Sequence, residues 1–149
     1  MANVTGSWHW YGEGMATWLS SHSGPMGAGH TLKVALYHSN SNAESGRKWI
    51  NGKNDITGTV TGGNYVDGTV SSYSVSASSG AQKMQLRISD SITFGTNLTA
   101  SAKYAVLYDD DSADYPIAVC TFASVLSATD GSITLNQDGN MNAILTFDY

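Results

Sequence analysis

The sequence predicts an all-β domain, and three observations predict it. Ser, Thr, Asn and Gly make up 60 of the 149 residues while charged residues supply only 13%, far from the Ala/Glu/Lys/Leu-rich profile of a helical protein. Ten Asp stand against two Glu, Glu13 and Glu44, and Asp favours turns and caps over helix interiors. From residue 31 onward apolar residues recur at every second position in short runs parted by turn dipeptides, the period of strands. A chain of 149 residues suits one domain, with a core large enough to need no metal or disulfide staple.

Residues 1–30 differ from the rest. Trp8, Trp10, Tyr11 and Trp18 crowd together there with His9, His22 and His30. Residues 13–19 fit a short helical turn with Met15, Trp18 and Leu19 on one side, stopped by Gly24-Pro25 and Gly27-Ala28-Gly29. The expectation is an irregular arm or subdomain that packs on, or projects from, a body at 31–149.

In that body TLKVALYH (31–38) sets Leu32, Val34 and Leu36 on one face and Lys33, Ala35 and Tyr37 on the other, as a half-buried strand would. The polar stretch 39–55, with apolar anchorage only at Trp49 and Ile50, reads as an exposed loop. DITGTV (55–60) and the Gly62-Gly63 turn lead into a strand marked by Val66, Val70, Tyr73 and Val75, with Asp67-Gly68 as a bulge. MQLRI (84–88) alternates, and ITF (92–94) follows. KYAVLYD (103–109) and YPIAVCTF (115–122) are apolar on both faces, as central strands are when a second layer covers them. The acidic run 109–114 joins them as a hairpin loop. SITLNQ (132–137), the Asp138-Gly139 turn and MNAILTFDY (141–149) close the chain. Eight or nine strands at hairpin spacing favour a β-sandwich or jelly roll.

Charge and motifs exclude more than they select. A net charge of −5, with seven Lys and Arg scattered along the chain, leaves no basic stripe for nucleic acid. No run of 18 apolar residues marks a membrane span and no signal peptide opens the chain, so synthesis in a reducing cytoplasm is expected. Asn3-Val4-Thr5 and Asn97-Leu98-Thr99 match glycosylation triplets by coincidence in so Asn- and Thr-rich a chain. The histidines at 9, 22, 30 and 38 match no zinc pattern, and the run 109–114 lacks the Gly and distal Glu of a calcium loop. No carboxylate pair is placed for glycoside hydrolysis, no Ser sits in a G-x-S-x-G elbow, and Cys120 reads as a small buried residue. No catalytic residue, cofactor or metal is expected, and the protein reads as a non-enzyme. Trp and Tyr are enriched in binding hot spots, which makes Trp8, Trp10, Tyr11, Trp18 and Trp49 the candidate partner-binding residues. The arm has three readings: burial within the protomer, contact with a subunit or partner, or a platform for a ligand.

The order of motifs is more specific than any one of them. An aromatic N-terminal segment precedes LKVALY (32–37) and GTVTGGNYVDGT (58–69). After them come SITFGTNLTASAKYAVLYDD (91–110), PIAVCTF (116–122) and DGSITLNQDGNMNAILTF (130–147). From Trp8 over nearly the whole chain this pattern resembles the jelly-roll capsid decoration, or cement, proteins of tailed bacteriophages. The resemblance implies a virion structural protein, made in the host cytoplasm and bound to the capsid exterior. Its partner would be the major capsid protein, and it would act as a homo-oligomer, a dimer or trimer, bridging capsomers against the pressure of packaged DNA. It also implies that truncating the first 20 residues leaves the body folded and abolishes retention on particles. The alternatives are a tail or fibre module that recognises host glycans and a carbohydrate-binding sandwich.

Overall fold

The computed structural model describes residues 6–11, 31–47, 49–50, 52–70, 73–78, 83–88, 91–110, 114–135 and 145–148; for Ser7, Trp10 and the stretches 73–78, 83–88 and 145–148 it describes the backbone alone. The described chain is all-β and antiparallel. Its strands are β1 (Gly6–Trp10), β2 (Leu32–Tyr37), β3 (Gly68–Thr69), β4 (Tyr73–Ser78), β5 (Lys83–Ile88), β6 (Ile92–Thr93), β7 (Leu98–Asp109), β8 (Tyr115–Gly131), β9 (Thr134–Leu135) and β10 (Leu145–Asp148). They form a five-stranded sheet in the order β1-β8-β7-β2-β3, a three-stranded sheet β10-β5-β4 and a pair β6-β9.

The β7–β8 hairpin is the centre of the main sheet, as its two-faced apolar pattern predicts. Asp109 pairs with Tyr115 at its turn, β2 lies along β7 from Leu32↔Asp109 to Tyr37↔Tyr104, and β1 lies along β8 from Gly6↔Phe122 to Trp10↔Ala118. Strand alternation then sends side chains to two separate apolar clusters. On one face Leu32, Val34, Leu36, Ala105, Leu107, Ala118, Cys120 and Phe122 pack with Ile92, Phe94, Ile133 and Leu135. On the other, Ala35, Tyr37, Val106, Tyr108 and Val119 pack with Tyr11, Ala43, Ile50 and Ile56.

The second cluster changes two expectations. β2 is buried on both faces and not half-buried. The stretch 39–55 covers the sheet through Ala43 and Ile50, with Ile56 just beyond. Its anchors stand seven and six positions apart, one a helical and the other a strand spacing, so no single period reveals them.

Several strand limits also differ. Residues 6–10 of the expected arm form β1, an edge strand of the main sheet, and Gly6 is needed there because a Cβ would meet the Cys120 Sγ. Truncating the first 20 residues would thus strip a strand and the buried Tyr11 from the body. The short helix at 13–19 lies outside the described residues. The expected strand at 66–75 divides: Val66 is exposed, Gly68–Thr69 pairs with β2, and the chain crosses to the three-stranded sheet at Tyr73. DITGTV contributes only a bridge, Tyr37↔Thr59. β8 runs nine residues past the expected end at Phe122, to Gly131. Asp109, which the sequence sets both at the end of the strand 103–109 and at the start of the acidic loop, is a buried strand end. At the C-terminal end, β9 is confined to Thr134–Leu135 and β10 to Leu145–Asp148, while 136–144 lies outside the described residues.

Candidate partner-binding site

The outer face of the main sheet is crossed by the segment 41–57, which is tied down at both ends. Asn42 closes it on itself: its Oδ1 accepts from the Thr57 amide at 2.8 Å and its Nδ2 donates to the Asp55 carbonyl at 3.0 Å. A helical turn follows, in which the Gly46 amide donates to the Asn42 carbonyl and the Ile50 amide to the Gly46 carbonyl, at 2.8 and 2.9 Å. Gly46 is required because a Cβ would meet Ile50 and the Asn42 carbonyl.

The leading half is held over β1 and β8. The Tyr11 hydroxyl donates to the Ala43 carbonyl at 2.7 Å. Glu44 Oε2 accepts from the Thr121 hydroxyl at 2.9 Å, and Glu44 Oε1 lies 3.6 Å from His9 Nδ1. Arg47 Nε is 3.0 Å from the same oxygen, close enough for charge attraction although its N–H is not aimed there.

The trailing half is held over β7. The Lys53 amide donates to the Asp114 carbonyl at 3.1 Å, its ammonium lies 3.1 Å from Asp67 Oδ2, and it stands 4.4 Å from the centre of the Tyr108 ring. Asp67 also accepts from the Tyr108 hydroxyl at 2.6 Å and the Tyr65 hydroxyl at 2.8 Å. The Tyr65 oxygen in turn accepts from the Leu36 amide at 2.8 Å, filling the sheet edge between the β3 ladder and the Thr59 bridge. Tyr65 stacks parallel to Phe94, with centroids 6.4 Å apart. Burial holds the Tyr11, Tyr37, Tyr65 and Tyr108 phenols above their ordinary range, and for Tyr37, Tyr65 and Tyr108 the nearby Asp67 adds to it.

Between these ties stands Trp49, 57% exposed. Its neighbour Ile50 is wholly buried, so the backbone under the indole is fixed while the ring faces outward. A large aromatic presented this way meets a partner with little further ordering.

The described aromatic candidates are not gathered into one surface. Tyr11 is 0% exposed and faces the sheet, which removes it from the contact set. Burial of the ring and a bond for the hydroxyl explain it. Trp8 is half-buried and packs against the opposite cluster. Trp10 occupies β1 opposite Ala118, with its side chain outside the described residues, and Trp18 lies outside them altogether. Trp49 alone of the described candidates is exposed. Among the described residues the other large exposed apolar ones, Val66 and Val125, are single side chains.

Sequence reasoning missed Glu44, Lys53, Tyr65, Asp67 and Tyr108 as holders of the loop. Tyr65 lies in GGNYVDG, and its glycines and Asp67-Gly68 signal a turn without signalling a shared carboxylate. Cys120 is buried, as expected, and burial pushes its thiol up to about 12. Among the described residues no three His, Cys, Asp or Glu converge as a metal site, and no helix is long and apolar enough to cross a membrane. Comparison with protein-family models, with curated proteins and with solved structures finds no match to this chain.

Proposed function

We propose that this protein is a virion structural protein: a capsid decoration, or cement, protein of a tailed bacteriophage with a jelly-roll sandwich as its body. It binds the outside of the assembled shell, bridges neighbouring copies of the major capsid protein and performs no catalysis. The motif order from Trp8 to Phe147 is the basis for the class. The observation that carries the binding role is Trp49, exposed on a loop that is tied to the sheet on both sides. A rigid aromatic anchor of this kind is what a surface with few charges needs for attachment.

The physics of reinforcement is mass action. A ligand that binds only the intact lattice stabilises it by its differential affinity. Dimers or trimers convert several weak contacts into avid binding. A net charge of −5 keeps the particle exterior from adhering to nucleic acid.

Two measurements on purified particles test this. Quantitative mass spectrometry is expected to find hundreds of copies per virion; a handful would instead mark a tail or fibre module. Trp49→Ala is expected to lower capsid occupancy at least about tenfold, as truncation of an aromatic hot spot does, with the unfolding midpoint unchanged. Full occupancy by that variant would remove Trp49 from the interface.

A further inference from the structure

We infer that Lys53 is a positioning residue for Trp49: its bond to Asp67 pins the trailing half of the loop to the sheet and keeps the indole ready to bind. The inference deepens the proposed capsid contact and rests on it for its functional consequence, but the pin itself is a property of this chain alone.

Past Glu44, the amides of Trp49, Ile50, Asp55 and Ile56 all donate within the loop, to Gly46, Gly52 and Lys53 carbonyls. Such local bonds preserve the shape of the segment without attaching it. Among the described residues, the polar attachment past Ile50 falls to Lys53 and to Asn42, and Asn42 joins the loop's own two ends, while Ile56 adds an apolar anchor. The Lys53 amide donates to the Asp114 carbonyl, and its side chain reaches two other elements at once, the Asp67 carboxylate before β3 and the Tyr108 ring on β7. Its receptor is itself prearranged, because Tyr65 and Tyr108 hold both carboxylate oxygens. Only a fifth of each side chain in the Lys53–Asp67 pair is exposed, so solvent screens it less than a surface pair. Charge-assisted bonds of this kind are the strong ones, and a preordered loop spares the entropy of ordering on binding.

The test uses Lys53→Met, which keeps an unbranched side chain of similar length and removes the charge, and Lys53→Arg, which restores it. Hydrogen exchange is read across 44–56 in the full-length protein. Lys53→Met is expected to raise exchange of the Trp49, Ile50, Asp55 and Ile56 amides at least about tenfold, with β7 and β8 unchanged and Lys53→Arg close to wild type. Wild-type protection in Lys53→Met overturns the pin. If Lys53→Met fails to fold, Asp67→Asn takes its place; it removes the carboxylate charge that Lys53 meets, is expected to raise exchange of the same amides at least about threefold, and unchanged exchange again overturns the pin. The consequence is read as affinity for shells assembled from the major capsid protein encoded with this chain and free of the protein. Lys53→Met is expected to weaken binding about tenfold, and to add nothing in a Trp49→Ala background while its effect on exchange persists. Additive losses overturn the positioning role. Unchanged binding of Trp49→Ala alone overturns the capsid contact and leaves the pin to be judged by exchange.

Discussion

The Tyr11 hydroxyl donates to the Ala43 carbonyl inside an apolar cluster, 32 residues away in sequence. The ring thus supplies buried area to the outer face of the sheet while its oxygen satisfies a loop carbonyl that has lost access to solvent. Tyr11→Phe keeps the area and leaves that carbonyl unpaired. The expected loss is about 1–3 kcal/mol in urea-induced unfolding, with weakened protection of the Ala43 turn. An unchanged midpoint would mean that the carbonyl finds another donor. Tyr11 was legible in the sequence as an aromatic in an aromatic-rich segment, and Trp49 as an isolated anchor in a polar stretch. Which of them faces solvent was not, because both sit where no apolar period exists to orient a side chain.

At the scale of elements, the β7–β8 hairpin organises everything else. Both strands carry apolar residues on successive positions, so each presents a buried face to each cluster. Between Ala102↔Leu126 and Tyr104↔Thr121 a single β7 residue, Lys103, stands opposite residues 122–125 of β8, a bulge in which the Lys103 ammonium donates to the Ala123 carbonyl at 3.3 Å. The bulge resets the register so that Leu126 and Ala128 return to the inner cluster. Periodicity lost β8 at this point, since its alternation breaks where the extra residues enter. β1 covers the other edge of β8 at the same level, with Gly6 against Phe122. Deleting residues 1–11 therefore removes a ladder and a fully buried aromatic, and the expected outcome is a loss above about 3 kcal/mol or an aggregating chain. A deletion variant that unfolds at the wild-type urea midpoint would return β1 to the status of a dispensable arm.

Over the whole molecule, burial of phenols is the property with the clearest solution signature. Tyr11, Tyr37, Tyr65 and Tyr108 are four of the eight tyrosines, and all four are shifted upward by burial. In the unfolded chain a phenol ionises near pH 10, so above that pH the unfolded state releases protons that the folded state keeps. Stability from these groups is whole below about pH 10 and falls as pH rises toward their folded values, by up to about 1.4 kcal/mol per pH unit for each phenol. Chemical unfolding at about pH 9 and 11 measures this slope. At about pH 11 the phenolate absorbance of the folded chain should reach at most half that of the chain in urea. A flat stability profile would show that the phenols ionise in place.

By itself the sequence determined the class of structure, because an excess of Ser, Thr, Asn and Gly with alternating apolar residues can bury its core only as strands and turns. It also placed 103–109 and 115–122 as central strands, since apolar residues fill both of their faces. Tertiary structure alone decided that the polar stretch 41–57 lies across the sheet and that Tyr11 turns inward while Trp49 turns out. It also decided that Lys53, Tyr65 and Tyr108 share Asp67. Apart from Tyr65 and Asp67, which are two positions apart, those arrangements depend on single residues meeting across 14 to 41 positions of chain. No local pattern encodes such meetings, because each anchor contributes one contact and nothing repeats.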